Sequence, residues 1–365
     1  MKNEQRKARI LWVGNWRVKG GISIVTEHFM SDPLIQERYQ VQVQDQSFAG
    51  MWNEQPILKA LKLPRGIILI LWNCLRFRPD IVHIHTPYQV GFLKDGIMAL
   101  LARGLGRKVV LTFHPGNSLV EEYHNSPGWL KALTDYVLPR CDALITLGKT
   151  YQDFLRQRYP QPLVALIPNP VADEPAARAP RDYEQRGPLV FFAGLFNERK
   201  GAFDLLQAVD RVQDPSARFI IQGTPPTPGD QATFERLYAA CQNKDRIELR
   251  PWGPVFEQLY RARVLVLPSH GESLPIILAE AIACGLPVIT TPVGVIPDYV
   301  NEGVQGLLIQ PGDVDGLARA IETVLARPEW AAQVARANAE YGQIFLRSRV
   351  HAALIEIYER LLAQA

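Results

Sequence analysis

The sequence predicts an α/β protein built from two doubly wound domains, each a parallel sheet with helices on both faces. Three observations carry this reading. Short apolar runs alternate with stretches of helical periodicity almost from end to end, as expected of strands buried on both faces by crossover helices. A stretch rich in Pro, Ala and charge at 168–188, PNPVADEPAARAPRDYEQRGP, interrupts the alternation and reads as a connector. The length of 365 residues suits two domains of roughly 150 residues each.

The strands expected in the first half are ARILWV (8–13), VQVQ (41–44), DIVHIH (80–85), KVVLTF (108–113), ALITL (143–147) and LVALI (163–167). In the second half they are LVFFAG (189–194), RFIIQG (218–223), RIELR (246–250), RVLVLP (263–268), LPVITT (286–291) and GLLIQP (306–311). The last fifty or so residues carry a helical pattern, and no repeat of fixed period is visible. The expected division is a domain over 1–170, a connector over 171–188, a domain over 189–343 and a terminal helix over 344–365. Ligands of such domains sit at the carboxyl ends of the strands, here facing a cleft between the two.

Composition narrows the function. With 47% hydrophobic and 21% charged residues the chain has an ample core, which excludes disorder, a collagen-like repeat and a coiled coil. A net charge of +3 is too small for a general nucleic-acid binder. The start, MKNEQRKARILWVG, has no long apolar core, so no secretory signal is expected. Cys74, Cys141, Cys241 and Cys284 form no C-x-x-C pair and have no histidine cluster beside them. This argues for reduced thiols in the cytoplasm, without a disulfide framework or zinc site.

Four segments have the residue types that chemistry needs. In WRVKGGIS, Gly20 and Gly21 precede a helical run, which suits either an anion contact through backbone amides or a plain turn. It is not the G-x-G-x-x-G dinucleotide fingerprint. In DIVHIH, His83 and His85 share one strand face. His83 reads as structural, whereas His85 and His114 (in TFHPGNS, before Ser118-x-x-Glu121) sit at strand ends. In GLFNERKG, a strand ends at Gly194, Arg199 and Lys200 follow, and Gly201 opens a helix. Two cations beside a helix start suit a diphosphate; the plain alternative is a solvated basic turn. In LPSHGESLPIILAEAIACGLPVITTPVG, Glu272 lies in the loop before a helix and Glu280 about one and a half turns inside it. Amides there suit a phosphate, and the carboxylates suit sugar hydroxyls.

The last segment resembles the signature of the retaining glycosyltransferases of family 4, the glycosyl transferases group 1, in PS-x-x-E, EA, Gly285 and LPVI. GLFNERKG is similar to the family's G-x-L-x-x-x-K-G, IIQGTPP to its glycine turn, IPNPVAD to its N-G-V-D, GGIS to its acceptor-side G-G loop and TFH to its T-x-H strand end. The resemblance runs from about residue 9 to 326. It implies the GT-B fold and a donor that is a nucleotide diphosphate sugar, with no metal or other cofactor. Carried over by position, it places Arg199 and Lys200 on the donor diphosphate, Glu280 on the ribose and Glu272 on the donor sugar. It also places Ser273, Leu274, Pro275 and Ile276, with Gly194 and Gly223, around the donor. His114 falls near the reacting sugar, Gly20 and Gly21 near the diphosphate or acceptor, and the terminal helix crosses back to the first domain. Leu195, Ser273-Leu274-Pro275 and Pro170 depart from the usual family residues, and these departures bear on donor-sugar recognition and not on the fold.

The function expected is retaining transfer of a sugar to a hydroxyl acceptor, a saccharide or lipid-linked saccharide, in cell-surface polysaccharide or glycolipid synthesis. The alternatives are a hydrolysing nucleotide-sugar epimerase of the same fold and a non-catalytic nucleotide-sugar binder. Acceptor recognition belongs to loops near 45–58, 86–95 and 115–128, which hold no readable motif. The D-x-D of Asp313 and Asp315 follows Pro-Gly and precedes a helix, so Asp313 reads as an N-cap and not a metal ligand. The segment 57–79 has five basic residues, no acidic one and an apolar centre too short to span a bilayer. An ordinary helix packed on the sheet is the favoured reading, and peripheral contact with an anionic membrane is the other.

Overall fold

The structure, a computed structural model, describes residues 6–14, 16, 20–46, 56–88, 91–174 and 183–364, with 56–62 described by their backbone. Residues 47–55 and 89–90 of the expected acceptor loops and 175–182 of the expected connector lie outside the described residues. All twelve expected strands are present, and every strand pair is parallel. The chain divides into two compact units, Met1–Pro168 with Val350–Ala365, and Asn169–Arg349.

The first unit holds β1 (Ala8–Gly14), β2 (Tyr39–Asp45), β3 (Ile81–Thr86), β4 (Lys108–Phe113), β5 (Ala143–Thr146) and β6 (Leu163–Leu166), in the order β2-β1-β3-β4-β5-β6. Ile10, Leu11, Val13, Ile81, Val82, Val109, Val110 and Leu111 are fully buried, because a parallel sheet is covered on both faces. Right-handed crossovers place α1 (Gly21–Ser31) and α2 (Pro33–Arg38) on one face. On the other lie α3 (Pro56–Arg76), α4 (Gly91–Gly104), α5 (Leu119–Asn125), α6 (Gly128–Val137) and α7 (Lys149–Arg158). Helix α4 packs between α3 and α6.

The second unit holds β7 (Leu189–Leu195), β8 (Arg218–Thr224), β9 (Ile247–Arg250), β10 (Val264–Leu267), β11 (Val288–Thr290) and β12 (Gly306–Leu308), in the order β12-β11-β10-β7-β8-β9. Its helices are α8 (Ala202–Val209), α9 (Pro228–Ala240), α10 (Phe256–Arg261), α11 (Ile276–Ala283), α12 (Val314–Ala326) and α13 (Pro328–Tyr341). Asp313 caps α12 by accepting from the Gly316 amide at 2.7 Å, as its place after Pro-Gly predicts.

The last helix, α14 (Arg347–Leu362), returns to the first unit from Val350 onward. There Tyr358 packs edge-on against Tyr39 and Phe29, and its hydroxyl meets His83 Nδ1 at 2.5 Å. His351 Nδ1 lies 2.5 Å from Asp32 Oδ2, both residues buried. Asp32 also accepts from the Leu34 amide at 2.8 Å, so His351→Ala removes one hydrogen bond to a charged group. The expected cost is about 1.5–3 kcal/mol, seen as a lower urea midpoint, while Asp32→Asn/His351→Phe costs less than the sum of its single changes.

Candidate active site

Doubly wound sheets bind ligands where strand order reverses, outside the carboxyl ends. In the second unit that point lies between β7 and β10. The loop after β7 carries Arg199 and Lys200, and the loop after β10 carries Glu272. Residues 72 positions apart in the chain meet here: Lys200 Nζ donates to Glu272 Oε1. Ser269 Oγ donates to the same oxygen at 3.1 Å, and Arg199 Nη1 stands 3.9 Å from Oε2 while donating to the Gly271 carbonyl at 3.0 Å. Glu272 is buried and Lys200 largely so. The two loops are also tied through the backbone, His270 N to Arg199 O at 2.9 Å, and through His270 with Asp204 at 2.6 Å.

Beyond Glu272, the chain runs through Ser273, Leu274 and Pro275 into α11 at Ile276. The first-turn amides of a helix have no intrahelical acceptor, and those of Ile276 and Ile277 begin α11. The buried Ser273 Oγ has no partner among the described residues. Glu280 is the fifth residue of α11. It is partly exposed and its carboxylate has no hydrogen-bond partner among the described residues. Burial pushes its carboxyl up to about 7. Gly194 and Gly223 pair side by side one residue before the ends of β7 and β8. Gly223 adopts φ 154°, and a Cβ there would come within 1.8 Å of the Gly194 carbonyl.

Three supporting residues escaped the sequence reading. Asn169 Nδ2 donates to the Leu274 carbonyl at 2.8 Å and fixes the turn into α11. Asn197 Oδ1 accepts from the Lys200 amide at 3.0 Å. Gly294 at φ 60° lets the backbone pass the Glu272 carbonyl, where a Cβ would sit at 2.0 Å. The final glycine of TPVG was the only signal for Gly294 and the likeness of IPNPVAD to N-G-V-D the only one for Asn169; Asn197 gave none.

In the first unit the order reverses between β1 and β3. Gly20 caps α1 with an extended backbone, where a Cβ would meet no described residue within 4 Å, and Gly21 begins the helix; residues 17–19 of that loop lie outside the described residues. His114 follows β4, and its Nε2 lies 2.8 Å from His85 Nδ1. His85, at the end of β3, is buried against Trp12, His83 and His114. His83 is a core residue held by Tyr358 and Thr112. Burial lowers His114 to about 4, so near neutral pH it is an uncharged hydrogen-bonding group.

Two doubly wound units, the second with a cationic loop and a carboxylate at its switch point, form an α/β architecture of the GT-B type. The family models agree: residues 24–174 match Glycosyltransferase Family 4 and residues 173–341 match Glycosyl transferases group 1. The chain belongs to this glycosyltransferase family. It is 29% identical over 283 residues to a glycogen synthase of Mycobacterium tuberculosis, an alignment spanning 72% of this chain and 64% of that one. Its fold is similar to that of sucrose-phosphate synthase from Thermosynechococcus elongatus (TM-score 0.77, 21% identity, 98% and 100% of the chains). It is also similar to that of HepE of Anabaena in complex with UDP (TM-score 0.72, 16% identity, 96% and 100%). No helix among the described residues is long and apolar enough to cross a membrane.

Proposed function

We propose that this chain is a retaining glycosyltransferase that moves a sugar from a nucleoside diphosphate sugar to a hydroxyl acceptor. The observation that carries the reading is the meeting of Lys200 and Glu272 beside the open amides of α11. Lys200 and Arg199 are placed to take the charge that develops on the departing diphosphate, a preorganised electrostatic contribution. Glu272 then accepts from donor-sugar hydroxyls and Glu280 from the ribose. The bond from the anomeric carbon to the diphosphate oxygen breaks as the acceptor oxygen attacks the same face, and the acceptor proton passes to the leaving phosphate. No residue of the site is assigned to a metal.

The test is a thermal-shift panel of UDP-, GDP- and ADP-sugars. One base class should raise the midpoint, since saturation at one hundred times Kd adds about 2.7 kcal/mol. No shift with any of them would contradict the reading.

The acceptor we favour is a saccharide or lipid-linked saccharide of the cell surface, reached from a membrane face. Helix α3 buries Ile70, Asn73 and Cys74 against its unit yet leaves Ile68, Trp72 and Leu75 more than 60% exposed on its outer side. Arg65 and Arg76 are exposed with them. A helix with that stripe and those cations suits an anionic bilayer surface. Wild type should co-sediment with phosphatidylglycerol vesicles and not with phosphatidylcholine ones, and Ile68→Asp/Trp72→Asp should stay in the supernatant. Equal sedimentation of the two proteins would remove the membrane from this account.

A further inference from the structure

The opposite edge of the second sheet has a different character. At the amino ends of β7, β8 and β9 opens a cavity of about 640 Å³, the size of a small-molecule site. Four arginines line it, Arg186, Arg218, Arg246 and Arg261, together with Pro188, Leu189 and Tyr260 on a less polar side. Its two carboxylates are Asp245 and Glu248, and Glu248 is engaged by Arg250 at 2.6 Å.

Arg186 and Arg246 are buried, at 8% exposure each, and Arg263 behind them is at 9%. All three give their guanidinium donors to main-chain carbonyls. Arg246 reaches those of Val209, Val212 and Asp214 just past α8; Arg186 reaches Leu259 and Ala262 at the end of α10; Arg263 reaches Glu184 and Arg186. Carbonyls satisfy hydrogens without cancelling charge. None of the three has a carboxylate within 4 Å among the described residues. Nε of each, and Nη1 of Arg263, have no partner there. Arg186 and Arg263 also lie over the same Tyr183 ring, at 4.8 and 5.3 Å. Like charges buried together without a counter-charge are costly, and an arriving anion offsets that cost.

We propose that this cavity is a second ligand site, which takes a small organic phosphate: the arginines for the phosphate, Leu189, Pro188 and Tyr260 for the organic part. Guanidinium groups match phosphate oxygens in geometry as well as charge. The site is distinct from that of Lys200 and Glu272, because the seven residues of β7 separate them by about 20 Å at 3.3 Å per residue. The inference does not depend on the transferase reading.

Phenyl phosphate is the probe, titrated calorimetrically into the full chain, with phenol and inorganic phosphate as its two halves. The expected result is one site that prefers phenyl phosphate to inorganic phosphate and ignores phenol. Arg218→Ala/Arg261→Ala, which removes the two outer arginines and leaves the buried ones, should weaken binding at least tenfold. Lys200→Ala should leave it unchanged, and so should Arg236→Ala/Arg319→Ala, a control of equal charge elsewhere on the unit. No binding by wild type, loss in Lys200→Ala with retention in Arg218→Ala/Arg261→Ala, or equal loss in both arginine pairs would overturn the proposal.

Discussion

Lys200→Ala is expected to lower kcat/KM for the nucleotide sugar by about 10²–10³-fold, the scale on which loss of one preorganised charge-stabilising donor acts. Lys200 holds the position by two means: its ammonium meets the buried Glu272, and its amide is fixed by Asn197. The diphosphate is a stronger anion than a carboxylate already shared with Ser269 and Arg199, so a ligand can draw the ammonium across. The folded state should survive, because Glu272 keeps those two partners. Steady-state kinetics and a donor titration check this together. A variant with unaltered kcat/KM would mean that the diphosphate lies elsewhere.

The second large effect is a pH dependence set by Glu280. Its carboxyl titrates at about 7 in the folded protein against a reference of 4.5. The folded state therefore holds a proton that the unfolded chain releases. That contribution to stability is fully present below about pH 4.5 and is lost as pH rises through about 7, on the order of 2–3 kcal/mol. With Glu280 on the ribose, as proposed, binding runs the other way, since hydroxyls donate to the ionised form. Nucleotide affinity should rise between pH 6 and 8 while unliganded stability falls. Glu280→Gln should flatten both profiles, weaken nucleotide binding and raise the midpoint of the unliganded protein at pH 8. Parallel pH profiles in wild type and variant would contradict the assignment of Glu280.

The fold was legible because a parallel sheet needs strands that are apolar on both faces, and runs such as KVVLTF and RVLVLP have no other reading at that length. β2 was the faintest: Tyr39–Asp45 alternates with glutamine at a sheet edge, and only its centre at 41–44 was visible. The site was legible in its parts. Gly-x-x-x-x-Arg-Lys-Gly and the two glutamates stand out locally, but the contact of Lys200 with Glu272 depends on β7 and β10 becoming neighbours, which chain spacing does not reveal. Helix α3 shows another limit. It is apolar on nearly every side, so periodicity alone did not distinguish the buried Ile70 and Cys74 from the exposed Ile68 and Trp72. The buried arginines were invisible for the opposite reason, since a charged residue in a sequence reads as solvated.

Retaining transfer from a nucleoside diphosphate sugar is the reaction proposed for this chain. The most direct measurement is proton NMR of the sugar released when the stabilising donor is incubated with enzyme and no acceptor, read before the product mutarotates. We predict nucleoside diphosphate and free sugar in equal amounts, with the first-formed anomer matching that of the donor, and both released far more slowly by Lys200→Ala. Release of the inverted anomer, or of nucleoside monophosphate with a sugar phosphate, would contradict it.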